Sequence, residues 1–158
     1  MVLAALILIL STALFFFFFQ VACQKILRRQ FEGEYFRSIA MANRLEFPSL
    51  QESLEGDGAP VNYTRLRMML KCDFLALTYL LKNVANTSRR YSQEERLLIL
   101  YFRWQVLLLA VQCLLKMSQK KAILKLTSVL QYFANVVGQR VNSVRFGSLT
   151  TSEYLLHG

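Results

Sequence analysis

The chain has 158 residues, of which 54% are apolar and 18% are charged, and its lysines and arginines outnumber its acidic residues 19 to 10. This composition excludes a collagen-like chain, a Pro/Gly-rich low-complexity chain and a globally disordered chain. Three scattered cysteines exclude a disulfide framework and a cysteine-rich metal site, and a single histidine excludes multi-histidine metal binding. We therefore expect no metal-ligating and no cofactor-binding residues.

The N-terminal segment has the length and composition of a membrane-spanning helix. Residues Val2–Phe19 carry no charge, and thirteen of these eighteen side chains are Leu, Ile, Val or Phe. Eighteen helical residues extend about 27 Å, close to the thickness of the hydrocarbon core of a bilayer. The apolar side chains favour insertion by about 4 to 8 kcal/mol. We therefore predict a transmembrane anchor over residues 1–24.

A cleaved signal peptide is the alternative interpretation of this segment. Such a peptide carries Lys or Arg before its apolar core, whereas the first basic residue here, Lys25, follows the core. A retained anchor is therefore favoured. Arg28 and Arg29 also follow the apolar run directly, and basic residues that flank a span stay on the cytoplasmic side. These charges predict a single-pass membrane protein whose C-terminal part is cytoplasmic.

The next two segments differ in their content of helix-breaking residues. Residues 25–46 contain no proline and one glycine, which predicts a juxtamembrane helix. Residues 47–60 hold both prolines of the chain, two glycines and three acidic side chains. This composition is typical of a connecting segment, so we predict a linker there.

Two amphipathic helices are predicted in the first half of the C-terminal region. The segment from about Val61 to Val84 repeats apolar side chains every three or four residues, which is the spacing of one helix face. Ser92 precedes Glu95 by three residues, and this spacing fits the capping box that begins a helix. The second helix is predicted to run from there to about Met117.

The third predicted helix runs from about Ser118 to about Phe146 and has the narrowest apolar stripe of the chain. The stripe consists of Ile123, Leu126, Leu130, Phe133, Val137, Val141 and Val144. Short connections make successive helices antiparallel. The sequence therefore predicts an all-α fold with an N-terminal transmembrane helix and a three- to four-helix antiparallel bundle. Residues 61–146 supply three helices of the bundle, the juxtamembrane helix is the candidate for the fourth, and residues 147–158 form a flexible tail.

Residues 97–117 raise the alternative of a second span. Twelve of them are Leu, Ile, Val or Phe, which favours insertion by about 4 to 7 kcal/mol. Arg103 offsets about 3 kcal/mol of this, and two glutamines and a lysine offset most of the remainder. We therefore favour a buried helix in a bundle that folds in water. A multi-pass channel or transporter helper is the alternative.

Asp73 and Arg103 are charged residues that the helical pattern places away from the polar faces of their helices. In an antiparallel pair of helices with its turn near residues 89–90, they lie at similar heights. Because an unpaired buried charge is strongly destabilising, we predict a structural ion pair between Asp73 and Arg103. In the less favoured alternative, a lipid-acting enzyme, Asp73 would be the catalytic acid or base.

The bundle is strongly basic. Residues 61–146 contain fourteen basic and three acidic side chains, a net charge of +11. Such a bundle is attracted to anionic lipid by about 1 kcal/mol per basic residue close to the surface. No nucleic-acid-binding motif accompanies the charge, so membrane lipid and a protein partner or second copy are favoured over nucleic acid. The candidate surface for such a partner consists of Arg67, Lys71, Lys82, Lys121, Lys125 and Tyr132.

The sequence shows no motif for catalysis. It contains no glycine-rich phosphate loop, no nucleophile elbow and no HExxH zinc motif. We therefore expect a non-catalytic protein without catalytic residues and without a cofactor. The expected role is that of a single-pass, membrane-anchored helical bundle that serves as an accessory or scaffold subunit of a membrane complex.

Overall fold

The computed structural model describes residues 1–31, 33–56, 62–84 and 91–156, with the backbone alone for residues 146–156. Most of this part of the chain is helical, and it contains no strand. The helices are α1 (Val2–Leu27), α2 (Phe36–Asn43), α3 (Phe47–Glu55), α4 (Tyr63–Asn83), α5 (Gln93–Leu114) and α6 (Lys120–Leu156). The prediction of an all-α fold with a long apolar N-terminal helix and a helical bundle is confirmed.

Helix α6 is the centre of the bundle, because each of the other five helices packs against it. Most of its predicted stripe is buried: Ile123, Leu126, Leu130, Phe133 and Val137 are at most 1% exposed. The last two members of the stripe, Val141 and Val144, are 43% and 53% exposed. The apolar stripe of α6 is therefore longer than the surface that its neighbours cover.

Aromatic rings join the three long helices in the core. The rings of Phe74 in α4 and Phe102 in α5 stack with their centroids 4.0 Å apart. Phe133 of α6 packs edge-on against Phe74 at 6.0 Å. At the start of α5, Ser92 Oγ accepts the N–H of Glu95, and the Glu95 carboxylate accepts the N–H of Ser92. The predicted capping box is therefore confirmed.

The segment between α1 and α4 differs from its prediction. A single juxtamembrane helix was predicted over residues 25–46, but α1 ends at Leu27 and α2 begins only at Phe36. The backbone N–H of Phe36 donates to the Asn135 side-chain oxygen at 2.9 Å. A contact with α6 therefore fixes the start of α2. The helix propensity of the residues around Phe36 cannot indicate this contact, because Asn135 is 99 residues away in the sequence.

The predicted linker over residues 47–60 is also wrong in its first part, because Phe47–Glu55 forms helix α3. Pro48 lies in the first turn of α3, where a helix tolerates proline because the first N–H groups have no partner within the helix. This proline therefore marks a helix start. Residues 57–61 lie outside the described part of the chain.

Helix α6 extends beyond its predicted end near Phe146. Its backbone stays helical to Leu156, where a flexible tail was predicted over residues 147–158. Gly147 was the expected end, but a glycine inside a helix costs only about 1 kcal/mol relative to alanine. The last two residues of the predicted tail lie outside the described residues.

Close packing between α2 and α6 makes Gly138 a sensitive position. A methyl group at Gly138 would lie 2.2 Å from Tyr35 Cβ and 2.8 Å from Tyr35 Cγ. Because Cβ moves only with its backbone, Gly138→Ala must displace the start of α2. We expect the free energy of unfolding to fall by about 1–3 kcal/mol, measured by chemical denaturation of the full chain in mild detergent.

Gly56→Ala is the matched control for this substitution. A methyl group at Gly56 would meet only backbone oxygens at 3.8 Å or more. We expect a change within about 0.5 kcal/mol for this control. Equal effects of the two substitutions would contradict the tight contact at Gly138.

Candidate membrane-interface site

The first half of α1 is exposed around its whole circumference. Every side chain in Val2–Leu14 is exposed, although none is charged. Ring contacts with the bundle begin at Phe16, which stacks on Trp104 of α5 with a centroid distance of 4.7 Å. They continue with Phe19 against Tyr101 at 6.2 Å. One turn later Cys23 is fully buried, so only the second half of α1 belongs to the bundle.

Two helices in the described residues are long and apolar enough to cross a membrane, α1 and α5. The most apolar stretch of α1 is not buried at all, whereas one third of the corresponding stretch of α5 is buried inside the bundle. The two helices therefore differ in surroundings although they resemble each other in composition.

Helices α1 and α5 run antiparallel where they pack. Moving from Phe16 to Phe19 on α1 corresponds to moving from Trp104 back to Tyr101 on α5. Two residues beyond the end of α1, Arg29 pairs with Glu94 of α5, with 3.2 Å between Nη1 and Oε2. The three contacts place the C-terminal end of α1 beside the start of α5.

A cavity of about 230 Å³ lies where α1, α5 and α6 meet, and we refer to it as the junction cavity. Aromatic and aliphatic side chains form part of its wall, among them Phe16, Phe19 and Trp104. Its polar lining consists of Gln20, Tyr101, Gln105, Gln112, Ser118, Lys121 and Lys125. Two buried atoms of this lining, the Tyr101 hydroxyl oxygen and Gln112 Oε1, make no hydrogen bond within the described structure.

A second depression, the α4–α5 groove, has a volume of about 370 Å³ and carries three basic side chains. Arg67, Lys71 and Arg103 line it together with apolar residues of both helices. Buried Arg67 Nε has no hydrogen-bond partner among the described residues. The groove thus combines an apolar floor with positive charge.

The predicted ion pair between Asp73 and Arg103 is not formed. Arg103 is exposed in the α4–α5 groove, whereas Asp73 is 6% exposed and forms no salt bridge with any residue that the structure describes. Asp73 Oδ2 accepts the backbone N–H groups of Glu46 at 3.0 Å and Phe47 at 2.8 Å. Asp73 is therefore buried, as the pattern indicated, but its partner is the first turn of α3.

Two opposing effects act on the Asp73 carboxyl group. Burial raises its pKa, because the charged form loses its hydration. The hydrogen bonds from Phe47 and Glu46 lower the pKa, because they stabilise the charged form. Burial is the larger effect, so the pKa lies above its ordinary value of 3.8.

A partly buried ion pair that was not predicted from the sequence joins Arg140 and Glu95. Arg140 of α6 donates from Nη2 to Glu95 Oε1, and from Nη1 to the backbone oxygen of Leu81 at 3.0 Å. Glu95 is 3% exposed. The capping box alone accounts for a glutamate at position 95. The sequence pattern therefore gave no indication that Glu95 also pairs with Arg140. The pair joins the end of α4, the start of α5 and the middle of α6.

Tyr132 was predicted to be part of an exposed surface for a partner, and this prediction is wrong. It is 4% exposed, because Phe31 packs edge-on against its ring at 5.3 Å. Its hydroxyl donates to Glu94 Oε2 at 3.3 Å. Burial, and then the negative charge of Glu94, raise the pKa of Tyr132 to about 12. The tyrosine therefore does not belong to an open partner surface.

The remaining residues of the predicted surface do not form one continuous face. Arg67 and Lys71 line the α4–α5 groove, and Lys121 and Lys125 line the junction cavity. Lys82 is exposed on α4 and lines neither. The structure therefore divides the basic side chains between two sites, and Arg103 joins the first of them.

No group of three or more metal-ligating side chains occurs within the described ranges. A comparison of the chain with protein-family models finds no match, and comparisons with curated proteins and with solved structures find none either.

Proposed function

We propose that the protein is a single-pass, membrane-anchored helical bundle that serves as an accessory or scaffold subunit of a membrane complex. Helix α1 is the anchor, and helices α2–α6 lie in the cytoplasm. The observation that carries the proposal is the uncharged, fully exposed half of α1, Val2–Leu14. The orientation rests on Lys25, Arg28 and Arg29, which follow the apolar run.

The length of the exposed part of α1 indicates how close the bundle lies to the bilayer. Thirteen residues, Val2–Leu14, extend about 20 Å, whereas the hydrocarbon core is about 30 Å thick. The missing length corresponds to Phe15–Val21, the part of α1 that packs against α5. On the opposite side of this stretch Phe17 and Phe18 remain 61% and 65% exposed. The bundle therefore lies against the inner leaflet, and the part of α5 that packs on Phe16 and Phe19 reaches into it.

An apolar stripe on α5 supports the accessory role. Leu100, Leu107, Val111 and Leu114 are between 49% and 83% exposed. An exposed apolar surface of this kind marks an interaction site with a protein or a membrane. In a membrane complex, this stripe would contact the apolar helices of a partner protein or the lipid around them.

Charges placed in the exposed half of α1 are expected to release the protein from the membrane. Arginine at the centre of a span costs about 2.5–3.5 kcal/mol, so Ile7→Arg with Leu10→Arg cancels most of the gain from insertion. We expect the double variant in the soluble fraction after carbonate extraction, and the parent chain in the pellet. Ile7→Leu with Leu10→Ile is the apolar control. A double-arginine variant that stays in the pellet would contradict the anchor.

The accessory role is tested separately by isolating the full chain from its native membranes in mild detergent. We expect a stoichiometric protein partner or a homo-oligomer to elute with it in size-exclusion chromatography. A monomer that elutes without any other protein would contradict an accessory role and leave the anchor in place.

A two-span protein is the second candidate, favoured by the composition of α5 and by its exposed stripe. The two candidates differ in whether α4 and α6 lie on the same side of the membrane. Cys72 on α4 and an introduced Ser128→Cys on α6 are both at exposed positions. Each is tested alone, with all other cysteines replaced by alanine, with a membrane-impermeant maleimide on sealed vesicles. Labelling from the same side supports one span, and labelling from opposite sides supports two.

A further inference from the structure

We propose that the junction cavity binds the phosphate group of an anionic membrane lipid whose headgroup also carries hydroxyl groups, such as phosphatidylglycerol. The proposal rests on the proposed anchoring of α1. It adds a specific ligand class and a defined binding site to that role.

The position of the junction cavity gives it access to lipid. Phe16 and Phe19 of α1 line it, and both lie in the stretch of α1 that completes the crossing of the bilayer. Gln20 follows directly and also lines the cavity. The cavity therefore extends from the last turns of the apolar stretch to the end of that stretch, where the acyl chains meet the lipid headgroups.

The charge of the cavity favours an anion. Lys121 and Lys125 line it, and no acidic side chain is among the described residues in its lining. Two ammonium groups beside a partly enclosed space attract a phosphate group more strongly than they would at an open surface, because screening by water is weaker there.

Two buried polar atoms without partners point to a ligand. Tyr101 is 1% exposed, and its hydroxyl oxygen has no partner in good hydrogen-bond geometry, although the Gln105 side chain lies nearby. Buried polar groups normally have partners, and a hydroxyl in the wall of a cavity that two lysines also line can donate to a phosphate oxygen there. Gln112 Oε1 is also buried without a partner, and as an acceptor it needs a donor. A hydroxyl group on the headgroup supplies this donor.

The size and wall of the cavity fit a headgroup with its acyl chains outside. A volume of about 230 Å³ is too small to enclose two acyl chains. Outside the cavity, the exposed phenylalanines of α1 provide an apolar surface for the chains. The single tryptophan of the protein, Trp104, lies in the cavity wall, so its fluorescence reports on this site.

The experiment titrates the full chain in mild neutral detergent with short-chain phosphatidylglycerol and follows Trp104 fluorescence, with bound lipid counted by native mass spectrometry. We expect saturable binding of one lipid and much weaker binding of phosphatidylcholine. Lys121→Gln with Lys125→Gln is expected to weaken binding about 25-fold, since each lysine near an anionic lipid contributes about a factor of five. Lys71→Gln with Lys82→Gln removes the same charge elsewhere and is expected to change the affinity less than about twofold.

Tyr101→Phe separates a ligand contact from a structural role. It removes the unpartnered hydroxyl, so we expect binding to weaken about tenfold while the stability of the protein without lipid is unchanged or higher. Lower stability with unchanged binding would contradict the contact. Equal losses of binding in the two double-lysine variants would overturn the site, because they would show a general charge effect.

Soluble glycerol phosphate distinguishes a membrane lipid from a free phosphate ester. Binding of glycerol phosphate as tight as that of the lipid would overturn the assignment to a membrane lipid. Failure of this proposal is distinguishable from failure of the anchor. A protein that resists carbonate extraction but shows no preference for phosphatidylglycerol overturns the lipid site alone.

Discussion

Replacing Arg140 by alanine is expected to lower the free energy of unfolding by about 3–5 kcal/mol. The substitution leaves the carboxylate of Glu95, which is 3% exposed, without its cationic partner. It also removes the donor to the backbone oxygen of Leu81. A buried charge without compensation is among the most destabilising changes in a folded protein. Chemical denaturation of the full chain in mild detergent, followed by circular dichroism, measures the loss.

Arg29→Ala is the matched control, because it breaks an ion pair between the same two residue types in an exposed position. The side chains of Arg29 and Glu94 are 60% and 49% exposed, so we expect a loss below about 1 kcal/mol. Glu95→Gln combined with Arg140→Met removes both charges of the pair and is expected to recover part of the loss. A loss at Arg140 no larger than that at Arg29 would contradict the structural importance of the buried pair.

The long helices could be predicted because their information is local. The stripe from Ile123 to Val137 repeats at helical spacing, and its burial follows from that pattern alone. The capping box of Ser92 and Glu95 is equally local, since its two hydrogen bonds join residues three positions apart. For these elements, periodicity and capping agree with the final packing.

The helices between α1 and α4 could not be predicted because contacts distant in sequence define them. The first turn of α3 is held by Asp73, 26 residues further along the chain. The start of α2 is held by Asn135, 99 residues away. Without these acceptors the prolines and glycines of the region are typical of a linker. Composition alone does not distinguish a proline that breaks a helix from one that begins it.

The same helices explain the errors on α6. Asn135 and Tyr132 lie outside the predicted apolar stripe of α6, yet both are buried. Helices α2 and α3, together with Phe31, cover this face. A stripe on one helix indicates the best apolar face, but the number of neighbours decides how much of the circumference is buried. In a bundle of three or four helices α6 has at most three neighbours, whereas five helices pack against it in the structure.

The basic residues of the junction cavity could be predicted from the sequence, but the arrangement of helices that forms the cavity could not. Lys121 and Lys125 were identified from charge, and they do line the junction cavity. The cavity itself depends on Phe16 and Gln20 of α1, which the sequence analysis placed in a separate anchor. The packing of α1 against α5 is therefore the feature that brings the basic residues to the membrane helix.

Asp73→Ala is expected to lower the free energy of unfolding by about 2–4 kcal/mol, because it leaves two N–H groups at the start of α3 without their acceptor. Asp73→Asn keeps a side-chain oxygen at the same place, and we expect a loss below about 1 kcal/mol. The two variants therefore separate the loss of the acceptor from the loss of the charge. Similar losses in both would show that the charge is the essential feature.

The pH dependence of stability provides an independent test of Asp73. Its pKa in the folded protein lies above the ordinary value of 3.8, so the folded state holds a proton that the unfolded chain has already released. Stability contributed by this group is present at low pH and decreases as the pH rises from about 4 through the folded pKa. We therefore expect Asp73→Asn to gain stability relative to the parent chain over that interval. A relative loss would show that the N–H groups of Glu46 and Phe47 outweigh burial.

The two Asp73 variants also test the alternative that the protein is a lipid-acting enzyme. In the structure the Asp73 carboxylate contacts the first turn of α3, and Asp73 lines neither the junction cavity nor the α4–α5 groove. A carboxylate held by two backbone N–H groups stabilises a helix start, and an acid or base for lipid chemistry must also reach a substrate. If Asp73→Asn retains stability and helicity but abolishes a measured activity on lipid, the enzyme alternative is favoured. If only Asp73→Ala has an effect, and that effect is on stability, Asp73 is a structural residue.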